Sequence, residues 1–142
     1  MREELKQIKG SPGYSGTPLP KKLGIREGFT VATLRSPDDF EQTLGDLPAN
    51  VTIRRQMRGR LDLVIWFVRS QKELDGRIER IAGATPRGGI WICWPKKSSG
   101  VSTDVGEGDV RSAGLAHGLV DYKIAAIDAT WSGLKFARRK ET

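Results

Sequence analysis

The sequence predicts an α/β protein whose core is a doubly wound, mostly parallel sheet of about six strands, with an antiparallel strand at the C-terminus. Three observations carry this expectation. Residues 61–68 and 90–94 are nearly unbroken apolar runs of strand length, the pattern of strands covered on both faces. Segments with apolar residues at helical spacing lie between and after them, so strand and helix alternate. The last two strand-like segments, 122–128 and 134–139, are separated by five residues, too few for a parallel crossover.

Residues 1–28 hold three of the seven prolines and read as an N-terminal arm packed on a single domain, 29–142. Thr17 is placed to cap a short turn at Pro18, and Leu19, Leu23 and Ile25 to pin the arm down. A first strand covers 29–34. A helix is expected next, with Ser36 as N-cap, Pro37 in the first position, Asp38 and Asp39 in the first turn, and Phe40 and Leu44 facing inward. The second strand, 51–54, leaves through arginines. Between it and the third strand, 61–68, the chain is too short for another strand-and-helix unit.

Ser70 opens a helix with Leu74, Ile78, Ile81 and Ala82 at helical spacing, and Gly88-Gly89 turns the chain into the fourth strand, 90–94. Asp104, with Glu107 three positions later, reads as a capping box for a helix running through Val110, Ala113 and Leu115 to Gly118.

Composition narrows the function. A chain of 142 residues supports one ordinary core. One cysteine, Cys93, excludes an intrachain disulfide, and with one histidine, His117, it excludes every zinc site built from several such ligands. A site built from carboxylates alone stays open, and no metal ligand is assigned. The longest apolar run, 63–68, is far below the roughly 20 residues of a membrane span, and no apolar leader follows the first residues, so a cytoplasmic protein with no membrane partner is expected.

Lys and Arg number 24 against 17 Asp and Glu, a net charge of +7. The excess is clustered at Arg54, Arg55, Arg58 and Arg60, and again at Lys135, Arg138, Arg139 and Lys140. Such patches attract polyanions, so nucleic acid or an acidic protein is one partner class, read through Arg54, Arg55, Arg58, Arg60, Arg138, Arg139 and Lys140. No aromatic side chains interleave with the first cluster, which argues against a stacking platform for single strands.

Open α/β sheets bind ligands outside the carboxyl ends of their strands. Those exits carry Arg35 and Ser36, Arg69 and Ser70, Lys96, Lys97 and Ser98, then Asp128 and Trp131. Four basic side chains on one rim, with helix N-termini at Ser36 and Ser70, suit a small phosphate- or carboxylate-bearing ligand. Trp131 and Tyr14 are placed to cover a planar ring if the arm folds back. This non-catalytic, ligand-binding reading stands first, the polyanion reading second, and a divergent transferase or a hydrolase tested at Asp128 third.

No catalytic residue is assigned. Lys96-Lys97-Ser98-Ser99-Gly100 lacks the glycine frame of a phosphate-binding loop, His117 sits where a helix-end histidine meets carbonyls, and Cys93 lies mid-strand.

Two family resemblances follow from these residues. Leu61-Asp62-Leu63-Val64, a helix, Arg87-Gly88-Gly89-Ile90-Trp91-Ile92, another helix and a terminal strand pair resemble the second half of a class I methyltransferase fold. Residues 13–19, 94–100 and 131–136 (GYSGTPL, WPKKSSG and WSGLKF) together resemble a family of small actinobacterial-type proteins carried as a domain of unknown function, which implies no activity. The methyltransferase resemblance implies a glycine-rich turn after the first strand and an acidic residue after the second, to hold S-adenosylmethionine. This chain has Leu34-Arg35-Ser36-Pro37 at the first place and Arg54-Arg55 at the second, so no cofactor is expected.

Overall fold

The computed structural model describes residues 16–140. Its elements are α1 (Leu19–Leu23), β1 (Thr30–Leu34), α2 (Phe40–Leu44), β2 (Thr52–Arg54), β3 (Leu63–Phe67), α3 (Gln71–Gly83), β4 (Ile90–Pro95), α4 (Glu107–Ala116), β5 (Leu119–Ala126) and β6 (Trp131–Arg138), with a 3-10 turn at Lys97–Ser99. The six strands form one sheet in the order β2-β1-β3-β4-β6-β5. β1 pairs in parallel with β2 and β3, and β3 with β4, while β6 runs antiparallel to both of its neighbours. This is the mostly parallel, doubly wound sheet with a C-terminal antiparallel strand that the sequence predicts.

Strand period two explains how unbroken apolar runs serve two faces. Val64 and Trp66 join Leu74, Ile78, Ile81 and Val110 in the core under α3 and α4. Leu63, Ile65 and Phe67 join Leu23, Phe40, Leu44 and Trp91 in the core under α1 and α2. The indole of Trp91 donates to the Leu23 carbonyl at 2.8 Å, tying α1 to the second core. Tyr14 lies outside the described residues.

Three local expectations are corrected. Ser36 caps no helix: Arg35 takes a left-handed conformation with φ 58°, the chain turns through Pro37, and α2 begins only at Phe40 after Asp39. Asp104 opens no capping box. α4 begins at Glu107 after Gly106, whose N–H donates to Asp109 Oδ2, and Asp104 Oδ1 instead accepts the N–H of Gln71 at 2.8 Å, capping the start of α3. The last two strands each start three residues before their expected position, because Gly118, at φ 83°, turns the chain straight from α4 into β5, and Asp128 makes a tight return.

One connection departs from the usual parallel crossover. β2 and β3 flank β1, yet residues 55–62 join them with no helix, where a dozen or more residues with a helix are customary. The face over β1 and β3 beside α3 is therefore left to this loop, from which Met57 packs against the first core. No helix among the described residues is long and apolar enough to cross a membrane.

Candidate anion-binding site

The exits of β1 and β3 meet the start of α3. Ser70 is the α3 N-cap, its Oγ accepting the Glu73 N–H at 3.1 Å. Glu73 then organises both exits: Oε1 accepts the backbone N–H of Arg69 at 2.8 Å, and Oε2 pairs with Arg35 Nε at 2.7 Å. The Glu73 side chain is 12% exposed, and Arg35 55%, so the carboxylate is consumed while the guanidinium still faces water.

Arg69 stacks over the Trp131 ring, 5.1 Å from its centroid, and Trp131 in turn stands edge-on to Phe67 at 5.0 Å. Stacking of this kind holds a guanidinium in place without neutralising it.

Arg35, Arg69, Lys72, Arg77 and Arg80 line one open depression of about 730 Å³, together with Ser70, Glu73 and Gly76. Five cations surround a single carboxylate that is already paired. Lys72, Arg77 and Arg80 are not among the residues singled out from the sequence. Helical spacing from Leu74, Ile78 and Ile81 places Glu73, Arg77 and Arg80 on an adjoining flank of α3, but only the fold turns that flank toward Arg35.

The other candidates are placed differently. At Ser70 two of the first N–H groups of α3 are already taken, Gln71 by Asp104 and Glu73 by Ser70, and Ser36 opens no helix. Asp128 Oδ1 accepts the N–H groups of Thr130 and Trp131, both at 2.8 Å, and so holds the β5–β6 return. Trp131 is 7% exposed and is core rather than an open lid. Lys96 donates its N–H to the Thr130 carbonyl at 2.7 Å. Lys97 and Ser98 form the exposed 3-10 turn beyond it, and none of the three lines the basic depression.

The two arginine clusters also diverge. Arg54, Arg55 and Arg58 line a shallow depression of about 530 Å³, with Arg54 Nη1 donating to the Arg58 carbonyl and Arg55 paired with Glu41, while Arg60 lines another beside Asp62. At the C-terminus, Arg138 donates to the carbonyls of Gly83, the last residue of α3, and of Thr85 just past it, and Arg139 to that of Leu115 in α4. These two guanidiniums satisfy helix-end carbonyls. Lys140 is exposed, and Lys135 reaches the Leu23 carbonyl and lies over Trp91. Burial, with Lys123 and Arg26 nearby, lowers the Lys135 pKa.

His117 Nδ1 lies 2.9 Å from the Ala113 carbonyl, and burial pushes the Cys93 thiol far up. No cluster of three or more metal-ligating side chains occurs among the described residues.

The sheet order and the antiparallel β6 are those of the class I methyltransferase-like Rossmann fold. The chain is similar to a candidate type 11 methyltransferase from Sulfolobus solfataricus, with TM-score 0.59 and 12% identity over 87% of this chain and 90% of that one. It is also similar to magnesium protoporphyrin IX methyltransferase from Synechocystis with bound S-adenosylmethionine, with TM-score 0.54 and 12% identity over 84% and 74% of the two chains. A third likeness, to a methyltransferase from Aquifex aeolicus that depends on the same cofactor, has TM-score 0.51 and 13% identity over 82% and 85%. No family model matches the sequence, and neither does any curated protein.

Likeness at this identity establishes the fold alone, and the residues present do not fit S-adenosylmethionine. At the β1 exit stands Arg35 and at the β2 exit Arg54 and Arg55, whereas a sulfonium cation and ribose hydroxyls call for acceptors. Glu73, the carboxylate at the meeting of β1 and β3, is committed to Arg35 and to the Arg69 N–H.

Proposed function

We propose that this chain is a binding module on a methyltransferase-like sheet, taking a small phosphate- or carboxylate-bearing ligand at the carboxyl edge beside α3. One observation carries the reading: five cationic side chains converge on one depression whose one carboxylate among the described residues is spent. Arg35 and Arg69 arrive from the strand exits, Lys72, Arg77 and Arg80 from the helix. Guanidiniums suit this work because they stay charged and grip oxyanions two bonds at a time.

The test is thermal denaturation of the purified chain against tripolyphosphate, phosphorylated and carboxylated metabolites and S-adenosylmethionine, at low and high salt. A ligand at 100 times its dissociation constant adds about 2.7 kcal/mol of stability. The expected result is a selective shift that survives salt and is lost in Arg77→Gln/Arg80→Gln. A shift confined to S-adenosylmethionine overturns the reading, and so does no shift with any anion.

A second reading, polyanion binding, is favoured by continuity of the charge. Arg55 belongs both to the depression formed with Arg54 and Arg58 and to a cavity walled by Arg35, Arg77 and Arg80. Nucleic acid bound along that strip would lose affinity steeply with salt as counterions are released.

A further inference from the structure

Beside the open basic depression lies a more enclosed cavity of about 470 Å³, between the helix-less crossover and the second half of α3. It exists because residues 55–62 run without a helix, and from them only Met57 and Leu61 pack against this core where a crossover helix would cover the sheet. Its apolar wall comprises Leu34, Met57, Trp66 and Ile81, and its charged wall is Arg35, Arg55, Arg77 and Arg80. Trp66 is fully buried, and its indole N–H is a buried polar group without a hydrogen-bond partner among the described residues.

These are independent observations pointing to one kind of occupant. Native interiors pair their buried donors, and an unpaired one is a standing cost that an acceptor would remove. The neighbouring wall is apolar, and an aliphatic or aromatic surface would fill it. The rim stays cationic beyond its own ion pairs: Arg35 and Arg55 already meet Glu73 and Glu41, and Arg77 and Arg80, with the solvent-facing edge of Arg55, are the charges an anion would engage. Pockets of this size hold ligands of a few rings.

We infer that the cavity binds a planar aromatic or heterocyclic acid. An acceptor on the ring takes the Trp66 N–H, the ring lies against Leu34 and Ile81, and the carboxylate or phosphate is held by Arg55, Arg77 and Arg80. Met57, half-buried and unbranched, yields both to admit the ring and to uncover the Trp66 N–H, which is fully buried when the cavity is empty. The inference rests on the anion-binding reading for its charged half and adds the aromatic body and the indole contact.

The experiment uses four probes on the full chain: quinaldate and adenosine monophosphate as ring acids, quinoline as ring alone, and tripolyphosphate as charge alone. Binding is followed by thermal shift and by the indole resonances in a proton–nitrogen correlation spectrum, with the Trp66 signal assigned by its loss in Trp66→Phe. The expected result is that one or both ring acids move the Trp66 signal and bind tighter than quinoline or tripolyphosphate. Trp66→Phe then weakens the ring acid roughly tenfold, the scale of one buried hydrogen bond, and leaves tripolyphosphate unchanged. Preference for quinaldate assigns a carboxylate ligand, and preference for the monophosphate a phosphate ligand. Should Trp66→Phe fail to fold, Ile81→Val and Arg80→Gln serve in its place, with a ring-acid affinity untouched by both counting against the site. Tripolyphosphate binding with no movement of the Trp66 signal by either ring acid overturns this inference and leaves the anion reading standing. No binding by any probe overturns both.

Discussion

The Asp62 carboxylate accepts the Thr30 backbone N–H at 2.8 Å, and the Asp62 N–H donates to the Thr30 carbonyl at 2.8 Å. The pair closes the start of β3 onto the start of β1 where the short crossover returns to the sheet. Asp62 thus works on backbone.

Removing that carboxylate exposes its value. Asp62→Ala is expected to cost about 1.5–3 kcal/mol, the range for hydrogen bonds to a charged group. Asp62→Asn, which keeps an acceptor, is expected to cost less. Urea denaturation of both variants checks this, and equal losses would assign the effect to charge instead of to the hydrogen bond.

Two glycines are expected to differ in sign. A Cβ at Gly114 in α4 would run into the Phe136 ring, whereas one at Gly76 in α3 meets nothing within 4 Å. Gly76→Ala is expected to gain about 0.5–1 kcal/mol through helix propensity. Gly114→Ala is expected to lose stability despite the same propensity gain. Thermal melts of the two side by side decide it.

Structural and ligand-facing arginines are expected to separate. Arg138→Gln frees the Thr85 and Gly83 carbonyls and is expected to lower the melting temperature while leaving anion binding intact. Arg77→Gln, on the exposed flank of α3, is expected to do the reverse. Titration with tripolyphosphate beside a melt of each variant reads both effects, and matching behaviour would remove the distinction.

Cys93 sets a pH dependence. Burial, then the charge of Asp128, raises its folded pKa far above the roughly 8.5 of a free thiol. The folded chain then holds its thiol proton where the unfolded chain has lost it, so this contribution is constant below about pH 8 and falls above it. Lys135 acts in the opposite sense. Its folded pKa lies below the ordinary value near 10.4, so its contribution rises as pH climbs from the lowered folded pKa through that value. The difference in stability between the parent and Cys93→Ala from pH 7 to 10 isolates the thiol. It is expected to shrink with rising pH, and a constant difference would refute the assignment. The folded thiol is also expected to resist disulfide reagents at pH 8.

Sequence by itself determined the elements whose signal is local. The unbroken runs at β3 and β4, the Ser70 cap and the apolar spacing of α3 each act within one turn or one strand, and the short β5–β6 connection left one geometry for an adjacent pair. Local signals failed where a partner distant in sequence competed for the same group. Asp104 caps α3 rather than its own helix, and Arg138 clasps α3 rather than forming a basic tail. Arg35 and Arg69 were legible as strand exits, but Lys72, Arg77 and Arg80 looked like any solvated helix flank. Tertiary structure alone decided that this flank faces β1, because a crossover without a helix left that side of the sheet uncovered and brought the Arg55 loop, Trp66 and α3 around one cavity.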